Sequence, residues 1–270
     1  MNNIFEQIQQ EIENGRRIVL ATVVDKKGHG PAAPGARMLV REDGSTVGTV
    51  GGGALEKAAA KKARMLFQSE TTALIHYNLD DDDQLVDKVE TGMACGGSTI
   101  IFFELLGNSP HLVLLGAGHV GQAVLAHAAL LGYRITVADS RKPLLDGTPH
   151  HKTVHLPDYR EGYGELGITG RSYVVVATHS HTFDAVAMEK VYSLPIRPAY
   201  IGVLASRKKA ETMVKKLKES HPHADLSNLH MPVGLRIGGP SPQEIAISIL
   251  AEIQAIRYGK TGQNHMGETW

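Results

Sequence analysis

The sequence predicts an α/β protein: a C-terminal Rossmann-like parallel sheet, preceded by a smaller N-terminal α/β domain. Three observations carry this reading. After Pro110, apolar strands alternate with amphipathic helices, the order that builds a parallel sheet covered on both faces. A glycine-rich turn, Gly116-Ala117-Gly118-His119-Val120-Gly121, joins the first of these strands to a helix. The chain of 270 residues also exceeds the usual single domain, which holds roughly 100–200 residues. Turn residues at Gly107–Pro110 mark the expected boundary between domains 1–107 and 111–270.

In the N-terminal part, residues 3–14 read as a helix with Phe5, Ile8 and Ile12 on one face. "RRIVLATVV" follows as a strand, and "KGHGPAAPGA" as a loop. "RMLVREDGSTVGTVGGG" reads as a hairpin turning at "EDGS", and 54–69 as a helix. The acidic run 79–84 is expected to be a solvated turn, because adjacent carboxylates repel one another and point different ways. "GMACGGSTIIFFE", 92–104, runs from glycines into a strand. In the C-terminal part, "HLVLLGAGHVGQAVLAHAALLGYRITVADSR" holds two strands flanking a helix that Gly132 ends, with further strands at 172–178 and 198–205. Helices are expected at 182–193, 206–220 and 241–258. The last has Ser241 as N-cap, Pro242 at the first helical position and Glu244 three residues after the cap. Its apolar residues cover most of its circumference near the start, so it is expected to be largely buried.

Composition narrows the function classes. Hydrophobic residues make up 42% and charged residues 21%, ordinary for a globular protein. Lysine plus arginine equals aspartate plus glutamate, 28 each, which argues against nucleic-acid and polybasic membrane binding. One cysteine forms no intrachain disulfide, and the polar start shows no leader pattern. Both point to the cytoplasm.

Several motifs carry candidate chemistry. In the glycine turn, Gly116, Gly118 and Gly121 permit close backbone approach, and the helix opening at His119 offers N–H groups to a phosphate. Asp139 ends the next strand, where such units hold a dinucleotide ribose, and is expected to face the crevice above the turn. The alternative is that the glycines serve strand–helix packing alone. "THSHTFD" follows a strand end. His179, His181 and Asp184 could ligate a metal or line a ligand crevice, or the segment could cap a helix through Thr182 or its neighbours. "ASRKK" opens another helix, placing Ser206, Arg207 and Lys208 at a second anion site or at a solvated helix start. In the N-terminal part, Gly51, Gly52 and Gly53 precede a helix with Glu56 in its first turn. The only thiol, Cys95, is followed by Gly96 and Gly97. Two glycine loops, one with the only thiol, read as walls of one site, although each could be a tight connection.

Together these motifs resemble the XdhC/CoxI family from about Ile18 to Ile256. "ATVVDKKGHGPAAPGARMLV", "GTVGGGALE", "CGGSTIIFFE", "GAGHVG", "THSHTFD", "YIGVLASRKK" and "MPVGLRIGGPSPQEIAISILAEI" are similar to its segments in order and spacing. Ala205 departs from the glycine expected in that motif. The resemblance implies an accessory protein that binds the molybdenum cofactor in its molybdopterin form and protects it during sulfuration. It would then deliver the cofactor to xanthine dehydrogenase or a related molybdenum hydroxylase. It also implies Cys95, Gly96 and Gly97 as cofactor contacts, less firmly Gly51–Gly53 and Glu56, and a cysteine desulfurase and a homodimer among the assemblies. A soft thiolate suits a molybdenum–sulfur centre. The competing reading is an NAD(P)-dependent oxidoreductase using the Rossmann unit, which leaves Cys95 unexplained.

Overall fold

The computed structural model describes residues 3–28, 33–78, 88–90, 97–148 and 151–260, with the chain dividing into two units, Met1–Asn108 and Ser109–Trp270. In the first unit the long strand β1 (Ile18–Gly28) alternates its side chains between two covered faces over Ile18–Val23 and is mostly exposed beyond. It pairs antiparallel with β2 (Arg37–Arg41), which turns through a hairpin into β3 (Thr46–Gly48). On its other side it pairs with β6 (Gly97–Leu106), followed by β4 (Ala73–Asn78) and β5 (Lys88–Glu90), giving the order β3-β2-β1-β6-β4-β5. Val19, Ala21 and Val23 face α2 (Gly53–Ser69), which buries Leu55, Ala59, Ala63 and Leu66 against them. Ile18 and Leu20 face α1 (Ile4–Glu13).

Helix α1 forms as expected with Phe5, Ile8 and Ile12 on one face, and the fold covers that face unevenly. Ile8 is buried, but Phe5 and Ile12 are 53% and 40% exposed. The helix turns the Glu11 carboxylate inward instead, where it accepts from Arg41 Nε at 2.6 Å and Arg16 Nη1 at 3.4 Å. Phe5 lies under the Arg37 guanidinium, 5.2 Å from the ring centre.

The second unit is a six-stranded parallel sheet in the order β12-β11-β10-β7-β8-β9. Its strands are β7 (His111–Leu115), β8 (Arg134–Asp139), β9 (Lys152–His155), β10 (Ser172–Val176), β11 (Tyr200–Val203) and β12 (Leu229–His230). The chain starts at the centre, builds outward through β8 and β9, then crosses back to β10. The reversal therefore falls between β7 and β10, where doubly wound sheets open a ligand crevice. The helices α3 (His119–Leu130) and α7 (Pro242–Arg257) share one apolar cluster with the sheet. In the other cluster are α5 (His181–Tyr192) and α6 (Arg207–Ser220), while α4 (Lys142–Asp146) follows β8. The edge strands β9 and β12 are too short to show in the sequence, and β10 and β11 end earlier than expected. Their last residues leave the sheet to form loops.

The capping box on α7 is present: Ser241 Oγ accepts from the Glu244 amide at 3.3 Å, and Glu244 accepts from the Ser241 amide at 3.0 Å. The helix is largely buried, as expected. Ala246, Ile249, Leu250 and Ile253 are buried, while Ile247 on the outer side is 48% exposed. The helix packs against α3 and the sheet, and Ser248 and Glu252 engage the Leu235 carbonyl and the Gly234 amide.

At the amino edge of this sheet, His111 is buried with Ser172 Oγ 3.0 Å from Nδ1 and Thr136 Oγ1 3.0 Å from Nε2. Burial, aided by the Arg134 and Lys152 charges, pushes its pKa down to about 3. The unfolded chain therefore binds a proton on this ring first. His111 thus stabilises the fold fully above its ordinary value of 6.5, and that contribution is lost as pH falls from there toward 3. Urea denaturation at pH 7 and pH 5 is expected to show a loss from this group of about 1–2 kcal/mol. His111→Gln, compared with wild type at both values, is expected to flatten that part of the slope; an unchanged slope would remove the assignment.

Candidate functional site

The carboxyl edge of the parallel sheet gathers four loops. Gly116, directly after β7, has φ +119°, and a Cβ there would sit 2.1 Å from the Ala177 carbonyl oxygen just past β10. A Cβ on Gly121 would sit 2.1 Å from the Gly116 carbonyl oxygen. Both positions need glycine because one backbone lies against another. Gly118 differs: its φ is −71°, and a Cβ would meet only Arg141 Nη2, at 3.7 Å. No neighbour among the described residues demands its missing side chain, so this is the point where an outside group can approach the backbone. His119 is exposed in the first turn of α3, whose N-cap makes no side-chain hydrogen bond.

Asp139 corrects the sequence reading. Its side chain is 0% exposed and does not face the crevice with a free carboxylate. Oδ2 accepts from the Ala117 amide at 2.7 Å and from Arg141 Nη2 at 2.9 Å. Oδ1 accepts from the Arg141 amide at 2.8 Å and Arg141 Nε at 2.9 Å. Burial pushes the carboxyl up, but the Arg141 and Ala117 bonds outweigh it and hold it below the usual carboxylate range. Behind the pair, the Tyr159 phenol is fully buried, which pushes its pKa up, with the Asp139 charge adding to the shift.

On the other side of β7, the loops after β10 and β11 line one open crevice of about 540 Å³, bounded by Thr178, His179, His181, Ala205 and Ser206 among others. The "THSHTFD" and "ASRKK" motifs are thus brought together. Ser180 is the N-cap of α5 and accepts from the Phe183 amide at 3.3 Å. Asp184 is buried, and its Oδ1 accepts from the Thr178 amide and hydroxyl at 2.9 and 2.7 Å. Burial pushes its carboxyl up, against the opposing pull of Thr178 and His181. The carboxylate orders its own loop and does not reach out as a ligand. Among the described residues, no group of three His, Cys, Asp or Glu side chains could hold a metal ion. His179 is exposed and packs on Phe183, 5.0 Å between ring centres. His181 Nε2 accepts from Lys209 Nζ, while its Nδ1 lies 3.6 Å from Asp184. Ser206 is the N-cap of α6, and Arg207 and Lys208 are exposed beside it.

In the first unit, Gly51, Gly52 and Gly53 all have positive φ, at 127°, 82° and 60°. A Cβ on Gly52 would meet nothing within 4 Å. Glu56 is engaged with its own loop: Oε1 accepts from the Gly52 amide at 3.1 Å and from the Thr49 hydroxyl. Gly97 begins β6, paired with Gly28 at the end of β1. The register of β1, β2 and β3 sets the glycine run and Gly97 toward the same end of that sheet. Cys95 and Gly96 lie outside the described residues, as does the acidic run 79–84.

Sequence reasoning missed Arg141 and Lys209 as site residues. Arg141 stands two positions after Asp139, a spacing that lets one side chain fold back onto the other, but only the structure shows the pairing.

Residues 11–78 match the XdhC and CoxI family, and residues 112–253 match the XdhC Rossmann domain. The chain is 36% identical over 264 residues to the uncharacterized protein YqeB of Escherichia coli strain K12, covering 96% of this chain and 47% of that protein. It therefore spans about half the length of that relative. It is 26% identical over 288 residues to the molybdenum cofactor insertion chaperone PaoD of the same organism, covering 92% of this chain and 86% of PaoD. A crystal structure from Bacillus halodurans described as a xanthine dehydrogenase superposes with a TM-score of 0.50 at 20% identity, covering 96% of this chain and 97% of that one. That likeness concerns the fold.

Proposed function

The chain belongs to the XdhC and CoxI family, and on that premise we propose that it binds the molybdenum cofactor and hands it to a molybdenum hydroxylase. Molybdopterin is its cargo, protected while the terminal sulfur is installed, with a cysteine desulfurase and xanthine dehydrogenase or a related enzyme as its partners. The observation that carries the reading is the similarity over 92% of the chain to a relative named as a molybdenum cofactor insertion chaperone. The open Gly52 position supports it, because a bulky pterin needs a backbone that it can approach. In this reading Cys95, Gly96 and Gly97 form the other wall, and the cysteine supplies a soft sulfur ligand. Glu56 holds the Gly51–Gly53 loop in shape through Gly52. The chain works as a homodimer in the cytoplasm and completes no turnover of its own. The oxidoreductase reading loses its anchor for the ribose diol of NAD+, since Asp139 has no acceptor to spare.

The test is to purify the protein from a molybdenum-replete host and from one unable to make molybdopterin. Pterin fluorescence after oxidation and molybdenum by mass spectrometry are expected in the first preparation only. Absence of both, with no activation of an apo-hydroxylase by the purified protein, would overturn the cargo role.

A further inference from the structure

We infer that Arg141 makes the glycine turn of the second unit a site for a phosphate-bearing ligand and excludes a bare ribose diol. The inference is independent of the molybdenum cargo. A carboxylate offers about four lone-pair positions, and Asp139 uses four: the Ala117 amide, the Arg141 amide, Nε and Nη2. A ribose diol needs that carboxylate to accept from its hydroxyls. Here the carboxylate is fully buried and committed, so the usual dinucleotide anchor is missing.

In its place the pair presents a cation. Two bonds from Nε and Nη2 to the same carboxylate fix the guanidinium plane, so little side-chain freedom remains to be lost on binding. Nη1 makes no hydrogen bond among the described residues, and the side chain is 40% exposed. Nη2 lies 3.7 Å from where a Gly118 Cβ would be, so the charge stands directly beside the one turn glycine that packing leaves unexplained. A phosphate oxygen seated there would meet the guanidinium and the backbone of the turn together. Such a phosphate could belong to a nucleotide, as the 2′-phosphate of NADP+ does, or to a smaller phosphorylated molecule. The chemistry at Arg141 is shared.

The experiment is calorimetric titration of the full chain with NADP+, NAD+ and inorganic pyrophosphate. NADP+ is expected to bind at least about tenfold more tightly than NAD+, with Arg141→Ala erasing the difference. Pyrophosphate binding that depends on Arg141, without binding of either dinucleotide, would support the phosphate site and assign it to a smaller ligand. NAD+ binding as tight as NADP+, affinities unchanged by Arg141→Ala, or no binding of any probe would each overturn the inference. Because Arg141→Ala strips a buried carboxylate of two partners and risks the fold, Gly118→Ala serves as the second variant. It leaves the ion pair untouched and is expected to weaken the same ligand by filling the turn. Unchanged affinity in a folded Gly118→Ala protein overturns the placement.

Discussion

Gly116→Ala is expected to destabilise the second unit by about 3 kcal/mol or more, adding the strain of a positive φ to overpacking. The new methyl would lie 2.1 Å from the Ala177 oxygen, 2.5 Å from its carbonyl carbon and 2.8 Å from the Thr178 nitrogen. All three are backbone atoms, so no side chain can swing aside, and relief requires β7 and β10 to part. A loss of that size corresponds to a fall in melting temperature of roughly 6–12 °C for a unit of this length. Gly118→Ala is the matched control. Its φ is −71° and its nearest neighbour is a side-chain nitrogen at 3.7 Å. It is expected to be neutral, or stabilising by about 0.4–1 kcal/mol through a less flexible unfolded chain. Equal melting temperatures for the two variants would show that the close approach of Gly116 to Ala177 is not rigid.

Cys95→Ser is expected to leave folding unchanged and to remove most of the retained molybdenum cofactor. The substitution nearly preserves size but replaces a soft sulfur with a hard hydroxyl, which serves a molybdenum–sulfur centre poorly. The wild-type thiol is expected to be accessible, alkylating in the native protein at a rate that rises with its thiolate fraction. The decisive measurement combines pterin content with activation of an apo-hydroxylase, and full activation by Cys95→Ser would remove the thiol from the mechanism. Circular dichroism of the variant distinguishes loss of cargo from loss of fold.

Local pattern determined much of this protein. The strand, glycine turn and helix at 111–130 and the capping box at Ser241–Glu244 are legible because hydrogen-bonding and periodicity rules act over a few residues. The family, too, is legible, since its motifs are short and ordered along the chain. Tertiary structure alone decided which faces are covered and which charges are spent. Phe5 and Ile12 are as apolar as Ile8, yet the partner surface takes Ile8, part of Ile4 and the Glu11 carboxylate and leaves those two outside. Ile247 lies on a helix rich in apolar residues, and only the packing of α7 against α3 leaves it outside. The meaning of Asp139 changed most. In sequence it is an acid at a strand end, and an acid there invites a ribose. In the folded chain the Arg141 side chain curls back onto it and, with the Arg141 and Ala117 amides, fills its acceptor positions. A pattern of residue types records which groups exist, whereas their remaining hydrogen-bonding capacity depends on three-dimensional neighbours. That capacity determines what a site can bind.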